Sequence, residues 1–155
     1  MLSDIKKMKF KENILETIGN TPLVRLNKMA KPYKPHIFVK VESFNPGGSV
    51  KDRIGVEIIE EAERTGQLKP GGTIVESTSG NTGMGLAIAA AIKGYKTVFT
   101  MPDKMSGEKI KLLRAFGAEV IVTPTADAHA SPESYTEVAK QVVRETPNSI
   151  LANQY

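Results

Sequence analysis

Short β-rich runs alternate with helix-patterned segments along most of this chain, and that order constrains its fold more than any other feature. Ile37 to Val41 reads as a strand, and Ser49 to Arg64 as a helix with Val50, Ile54, Ile58 and Ala62 at i+4 spacing. Thr73 to Val75 is the next strand. Asn81 to Ile92 follows as a helix apolar nearly all round, which predicts burial. Thr97 to Thr100 is a third strand. Ser106 then caps a helix carrying Ile110, Leu113 and Phe116, closed by Gly117, and Glu119 to Val122 is a fourth strand. For the last helix, Ser131 is the expected N-cap, Pro132 the first residue and Glu133 the acid that complements the dipole. Tyr135, Val138, Ala139, Val142 and Val143 form its apolar stripe, Pro147 ends it, and Ile150-Leu151 opens another short apolar run. This alternation predicts an α/β fold: three layers, with a mostly parallel sheet and helices on both faces. In such sheets ligands sit at the carboxyl ends of strands, on loops leading into helices. Residues of about 45–145 are the expected central subdomain.

Composition narrows the function classes. With 155 residues, 40% of them hydrophobic and 25% charged, the chain suits a folded domain or part of a larger one. Its net charge of +4 comes from 21 basic and 17 acidic residues scattered along the sequence. No basic block is interleaved with aromatics, so no nucleic-acid partner is expected, whereas a small anionic ligand is compatible. The absence of cysteine excludes disulfides and thiolate metal sites and fits a reducing compartment. His36 and His129 lie far apart in loop-like surroundings, so no metal site is expected. The N-terminus has no apolar core of a signal peptide, and the longest apolar run, Leu86 to Ile92, is far too short to span a bilayer. The expectation is a soluble, cytoplasmic protein without a membrane partner. Asn153-Gln154-Tyr155 follows a nascent strand directly, which reads as a chain stopped mid-domain.

Two loops carry the chemistry. The first is Asn45-Pro46-Gly47-Gly48-Ser49-Val50-Lys51-Asp52-Arg53. Pro46 and two glycines make a tight turn, Ser49 is a natural N-cap, and Asp52 three residues on gives a weak capping box. Lys51 falls in the first helical turn, where a cation opposes the helix dipole by about 0.3–1 kcal/mol. Alone, Lys51 reads as a solvated lysine at a helix end. The sharper reading is an amine whose charge is absorbed chemically, as a Schiff base to an aldehyde cofactor. Spacing does not choose between them. The second loop, Glu76-Ser77-Thr78-Ser79-Gly80-Asn81-Thr82-Gly83, brings hydroxyls and backbone N–H groups to a helix start, an arrangement suited to orienting a carboxylate. Taken alone, it also reads as a capped helix with glycines for close packing.

Together the loops resemble a known family. The first is similar to the lysine motif of the cysteine synthase and cystathionine β-synthase family, the fold-type II pyridoxal phosphate enzymes. Thr78 to Gly83 resembles that family's substrate-carboxylate loop, and Thr17-Ile18-Gly19-Asn20-Thr21-Pro22-Leu23 its opening signature. Two stretches look more like the cystathionine β-synthase branch: Met101 to Ser106, and Thr123-Pro124-Thr125 with Ser131-Pro132-Glu133-Ser134. The resemblance covers essentially the whole chain but only the front part of the family's catalytic region.

What the resemblance implies is specific. Lys51 is expected to hold pyridoxal 5'-phosphate covalently and later to move the substrate α-proton. Asn81 is expected to hydrogen-bond the cofactor's ring hydroxyl. Thr78, Ser79, Gly80 and Thr82 are expected to bind the substrate carboxylate, and Gln154 matches a family glutamine that also reaches it. Ser77 stands where many members have proline. No haem is expected, because the histidine- and cysteine-bearing haem segment of animal cystathionine β-synthases has no match here. The implied reaction is β-replacement on serine or an activated serine by a thiol such as homocysteine, with amino-acid and thiol substrates as partners and a homodimer as the assembly. Cysteine synthase, using O-acetylserine and sulfide, is one alternative, and a non-catalytic fragment or binding module another. A nicotinamide-binding Rossmann domain is disfavoured by the incomplete glycine fingerprint. No Gly-Thr-Gly-Gly pattern occurs in the sequence. The family's phosphate loop is therefore expected downstream of Tyr155, and these residues alone are expected to bind the cofactor poorly and not turn over.

Overall fold

The computed structural model describes residues 9–78, 80–125 and 131–154. After a 3-10 turn at Ile14–Thr17, β1 (Leu23–Arg25) and β2 (Phe38–Lys40) pair antiparallel as a separate two-stranded ribbon. Then come α1 (Lys51–Arg64), β3 (Thr73–Ser77), α2 (Asn81–Lys93), β4 (Lys96–Pro102), α3 (Gly107–Ala115), β5 (Glu119–Thr123), α4 (Tyr135–Glu145) and β6 (Ser149–Leu151). Strands β5-β4-β3-β6 form one sheet in that order, and every pairing in it is parallel.

Alternating side chains of the central strands feed two cores. On one face Ile74 of β3 and Phe99 and Met101 of β4 pack with Ile59 and Ala62 of α1, Leu86, Ala87, Ala89 and Ala90 of α2, and Leu113 of α3. On the other, Val75 and Val98 meet Ala139, Val142 and Val143 of α4. Helices thus cover both faces of a parallel sheet, the three-layer α/β arrangement expected. Because both faces are covered, β3 and β4 read as nearly continuous buried runs. The all-round apolar helix is α2, buried through most of its length and closed by Gly94 in the left-handed conformation at φ 78°.

Three expectations need correction. The run Ile37 to Val41 forms a strand, but not in the parallel sheet. Its Phe38 and Val39 are 54% and 38% exposed, and no helix lies between β1 and β2 to return the chain in parallel. The lysine loop therefore does not leave the carboxyl edge of the main sheet.

Helix α1 begins at Lys51 rather than Ser49, and its buried residues are Asp52, Gly55, Ile59 and Ala62 rather than the stripe through Val50, Ile54 and Ile58. Close packing on α2 through Gly55 turns that face inward. Third, the N-cap of α4 is Ser134, not Ser131: the Ser134 hydroxyl accepts the Glu137 N–H at 3.3 Å. Ser131 instead begins a preceding turn, its carbonyl accepting the Ser134 N–H at 2.9 Å. The Ser-x-x-Glu spacing of a capping box belongs to Ser134 and Glu137, and Pro132 drew attention to the wrong serine.

Candidate active site

The lysine turn is held by a polar hub. Asn45 is buried; its carbonyl accepts the Gly48 N–H at 2.8 Å and its Oδ1 accepts the Gly19 N–H at 2.9 Å. Its Nδ2 donates to the Ser49 carbonyl at 3.0 Å and to the Glu42 carboxylate at 2.9 Å. Arg53 grips that carboxylate with two hydrogen bonds of 2.9 Å and also donates to the Gly19 carbonyl at 3.0 Å. The hydrogen bond from Arg53 is the main reason the Glu42 pKa falls from 4.5 to about 2; burial opposes it, and Asn45 and Thr21 add to it. Gly19 sits at φ 85°, and a Cβ there would stand 2.6 Å from an Arg53 nitrogen, so only glycine lets the guanidinium pass. Two of the three sequence motifs, 17–23 and 45–53, are thereby one structural unit.

Asp52 does not close a capping box. It is fully buried, and its Oδ2 accepts the Gly47 N–H at 2.5 Å while Oδ1 has no hydrogen-bond partner. Burial pushes its pKa up, against the Gly47 N–H. Lys51 stands beside it, partly buried, its backbone N–H donating to the Ser49 hydroxyl at 3.2 Å. Among the described residues no hydrogen bond or ion pair engages its amine.

Packing of α1 on α2 brings the backbone of the Lys51 turn against the helix that the second loop opens. A Cβ on Gly55 would lie 2.3 Å from the Gly85 carbonyl carbon, and one on Gly85 would lie 2.6 Å from the Lys51 carbonyl oxygen. The two backbones touch, and the turn carrying Lys51 rests on the first turns of α2. Thr78 is buried; its N–H donates to the Thr100 carbonyl at 3.2 Å and its hydroxyl accepts the Gly80 N–H at 3.3 Å. A Cβ on Gly83 would meet the Thr78 methyl at 2.6 Å, so this glycine lets the helix settle on the loop. Buried Thr82 donates its hydroxyl to Gln154 Oε1 at 2.5 Å, across 72 residues of sequence. Asn81 opens α2 and is exposed. Ser79 lies outside the described residues.

The start of α2 differs from those of α3 and α4. Ser106 and Glu108 complete the start of α3, and Ser134 and Glu137 that of α4. Helix α2 has Gly80 at its N-cap, no capping hydrogen bond and no acid in its first turn. Among the described residues no side chain caps this start, and the dipole there favours an anion. Cavities of about 450 Å³ beside Thr73, Lys96 and Glu119, and about 360 Å³ between α1 and β6, lie away from these residues.

The model of the family described as pyridoxal-phosphate dependent enzyme matches residues 14–155. The chain belongs to that family. It is 51% identical to the cystathionine β-synthase of Saccharomyces cerevisiae over 148 residues, covering 94% of this chain and 29% of that protein. It is 55% identical to the cystathionine β-synthase of Mus musculus over 152 residues, 97% of this chain and 27% of that protein. A probable cysteine synthase of Bacillus subtilis is 47% identical over 148 residues, 96% of this chain and 47% of that protein. The crystal structure of a hydrogen sulfide-producing enzyme from Fusobacterium nucleatum superposes with a TM-score of 0.83 at 40% identity, covering 95% of this chain and 47% of that one. The chain therefore spans less than a third of the cystathionine β-synthases it matches and about half of the cysteine synthase. The family's cofactor fits the residues present: an unpaired primary amine suits its aldehyde, and the open α2 start with its hydroxyls suits anionic groups.

Sequence reasoning missed Glu42, the hub role of Asn45, the Arg53 clamp and the buried acids Asp52 and Glu76. A signal existed for Glu76, an acid that directly follows the β-branched run Thr73-Ile74-Val75 in the same strand. Glu42 had none: besides Asn45, three residues on, its partners Arg53 and Thr21 are 11 and 21 residues away. No helix among the described residues is long and apolar enough to cross a membrane.

Proposed function

We propose that this chain supplies the covalent lysine and the substrate-carboxylate loop of a pyridoxal phosphate enzyme that replaces the β-substituent of serine or an activated serine with a thiol. The observation that carries the reading is the backbone contact of the Lys51 turn with Gly85, which seats that turn, whose amine has no partner among the described residues, against the helix opened by the hydroxyl-rich loop. Lys51 would hold the cofactor through its Nζ, and Asn81 would hydrogen-bond the cofactor's ring hydroxyl. Thr78, Ser79, Gly80 and Thr82 would take the substrate carboxylate through hydroxyls and backbone N–H groups, with Gln154 completing the set. When bound, pyridoxal phosphate supplies an electron sink for negative charge at the substrate α-carbon. Lys51 Nζ would accept the proton from that carbon. Clamping the carboxylate fixes the direction of the Cα–H bond, a positioning effect worth several kcal/mol in general.

Serine with homocysteine is the preferred substrate pair, on the likeness to cystathionine β-synthases at above 50% identity. Likeness to cysteine synthases, at 47% and 56% identity, favours a second reading with O-acetylserine and sulfide. The test uses the complete protein incubated with pyridoxal phosphate, reduced with borohydride and mapped by mass spectrometry. The label should sit on Lys51 and vanish in Lys51→Ala. A label elsewhere, or none, would refute the assignment and favour a non-catalytic binding module. Paired assays with serine plus homocysteine and O-acetylserine plus sulfide then separate the two reactions. The 155 residues alone, having no Gly-Thr-Gly-Gly loop, should give no turnover; product from them would overturn that part of the proposal.

A further inference from the structure

Glu76 is an acid with no use in the site as described so far. It lies on β3 with 1% of its surface exposed, between Val75 and Ser77. Burial pushes its pKa up, opposed by one hydrogen bond from the Asn153 backbone. A carboxyl group buried in a central strand is costly unless it does something there. Its Oε2 accepts the Asn153 N–H at 2.7 Å, 77 residues away in sequence.

That contact falls where β6 ends. The ladder runs through Leu151 opposite Val75, and the Ala152 N–H still donates to the Val75 carbonyl at 2.8 Å. Asn153 then adopts φ 45°, a left-handed conformation that turns the chain out of the strand. β6 is the edge strand of its sheet. Among the described residues no further strand pairs there, and the Glu76 carboxylate takes the Asn153 N–H. The next residue is Gln154, whose Oε1 receives the Thr82 hydroxyl. With Oε1 engaged, the two N–H groups of the amide are left as donors, the polarity an incoming carboxylate requires.

We propose that Glu76 is a positioning residue for the amino-acid substrate: by holding the Asn153 N–H, it fixes the turn that sets the Gln154 amide against Thr82 with its donors toward the substrate carboxylate. The inference rests on the reading of Gln154 and residues 78–82 as a carboxylate site. It adds a residue that touches neither substrate nor cofactor. A leucine at 76 would fill the space but leave the Asn153 N–H unpaired, releasing Gln154 without touching Lys51. Glutamine would keep an acceptor oxygen.

The experiment uses the complete, cofactor-loaded protein and four variants: Glu76→Gln, Glu76→Leu, Gln154→Ala and the double Glu76→Leu/Gln154→Ala. KM for the amino-acid substrate and kcat are measured together with equilibrium binding of alanine, which carries no leaving group. Glu76→Leu should raise KM and weaken alanine binding about tenfold, the usual effect of one lost hydrogen bond, with little change in kcat. Glu76→Gln should stay close to the parent. The double variant should be no worse than Gln154→Ala alone, because Glu76 acts through Gln154. If Glu76→Leu does not fold, Glu76→Asp, which withdraws the oxygen by one methylene, is held to the same expectation. A Glu76→Leu protein that binds alanine like the parent while Gln154→Ala binds weakly would overturn the inference alone. So would effects that multiply in the double variant. Unchanged binding in Gln154→Ala would instead sink the carboxylate-site reading, and this inference with it.

Discussion

Gly85→Ala tests the contact on which the site depends. The added methyl would lie 2.6 Å from the Lys51 carbonyl oxygen and 3.0 Å from the Asp52 Cα, where ordinary contacts begin at 3.4 Å. The obstacle is backbone on a packed helix, so no side chain can swing aside. To accept the methyl, α1 and α2 must separate by roughly 1 Å, a strain costing ~1–3 kcal/mol. Alanine is the better helix former by about 1 kcal/mol, which offsets part of that cost. The net destabilisation should be ~0–2 kcal/mol by urea unfolding of the complete protein. The functional effect should be larger than the stability loss suggests. A 1 Å displacement of the Lys51 turn moves the amine relative to the carboxylate loop, and misplacement on that scale can cost on the order of a hundredfold in rate. Gly94→Ala is the control. It sits at φ 78° with nothing near a Cβ, so it should cost stability through backbone strain without changing the rate of the folded enzyme. If Gly85→Ala were as stable and as active as the parent, the two helices could not be in backbone contact, and the placement of the Lys51 turn against α2 would be wrong.

Acid should find the Glu42–Arg53 clamp. The folded-state pKa of Glu42, about 2, lies below the ordinary 4.5, so the stability it contributes is present above 4.5 and is lost as pH falls toward 2. Glu42→Gln should flatten the pH dependence of stability in that window; an unchanged slope would show the clamp to be inert. Ser134→Ala should cost about 1 kcal/mol by removing the N-cap of α4, while Ser131→Ala should cost clearly less, both measured by denaturant unfolding.

Alternation of strand and helix patterns was enough to predict a parallel α/β sheet covered on both faces, because periodicity is a local property that burial on two faces stamps onto the sequence. The motifs containing Lys51, Thr78, Asn81 and Thr82 stood out for a similar reason, since each is contiguous, but the roles expected of them came from the family resemblance. Even so, Lys51 read alone was a solvated helix end. Only tertiary structure decided how the Lys51 turn meets the helix that the second loop opens. Its strand leaves the main sheet for the β1–β2 ribbon, and the approach comes from the Gly55–Gly85 contact, in which two residues without side chains give periodicity nothing to register. Tertiary structure also decided what holds the pieces in place. Glu42 joins Thr21, Asn45 and Arg53, and Glu76 reaches Asn153 across the sheet. Such pairings depend on chain reversals that no local pattern encodes. An isolated acid looks the same whether water or a buried N–H will meet it.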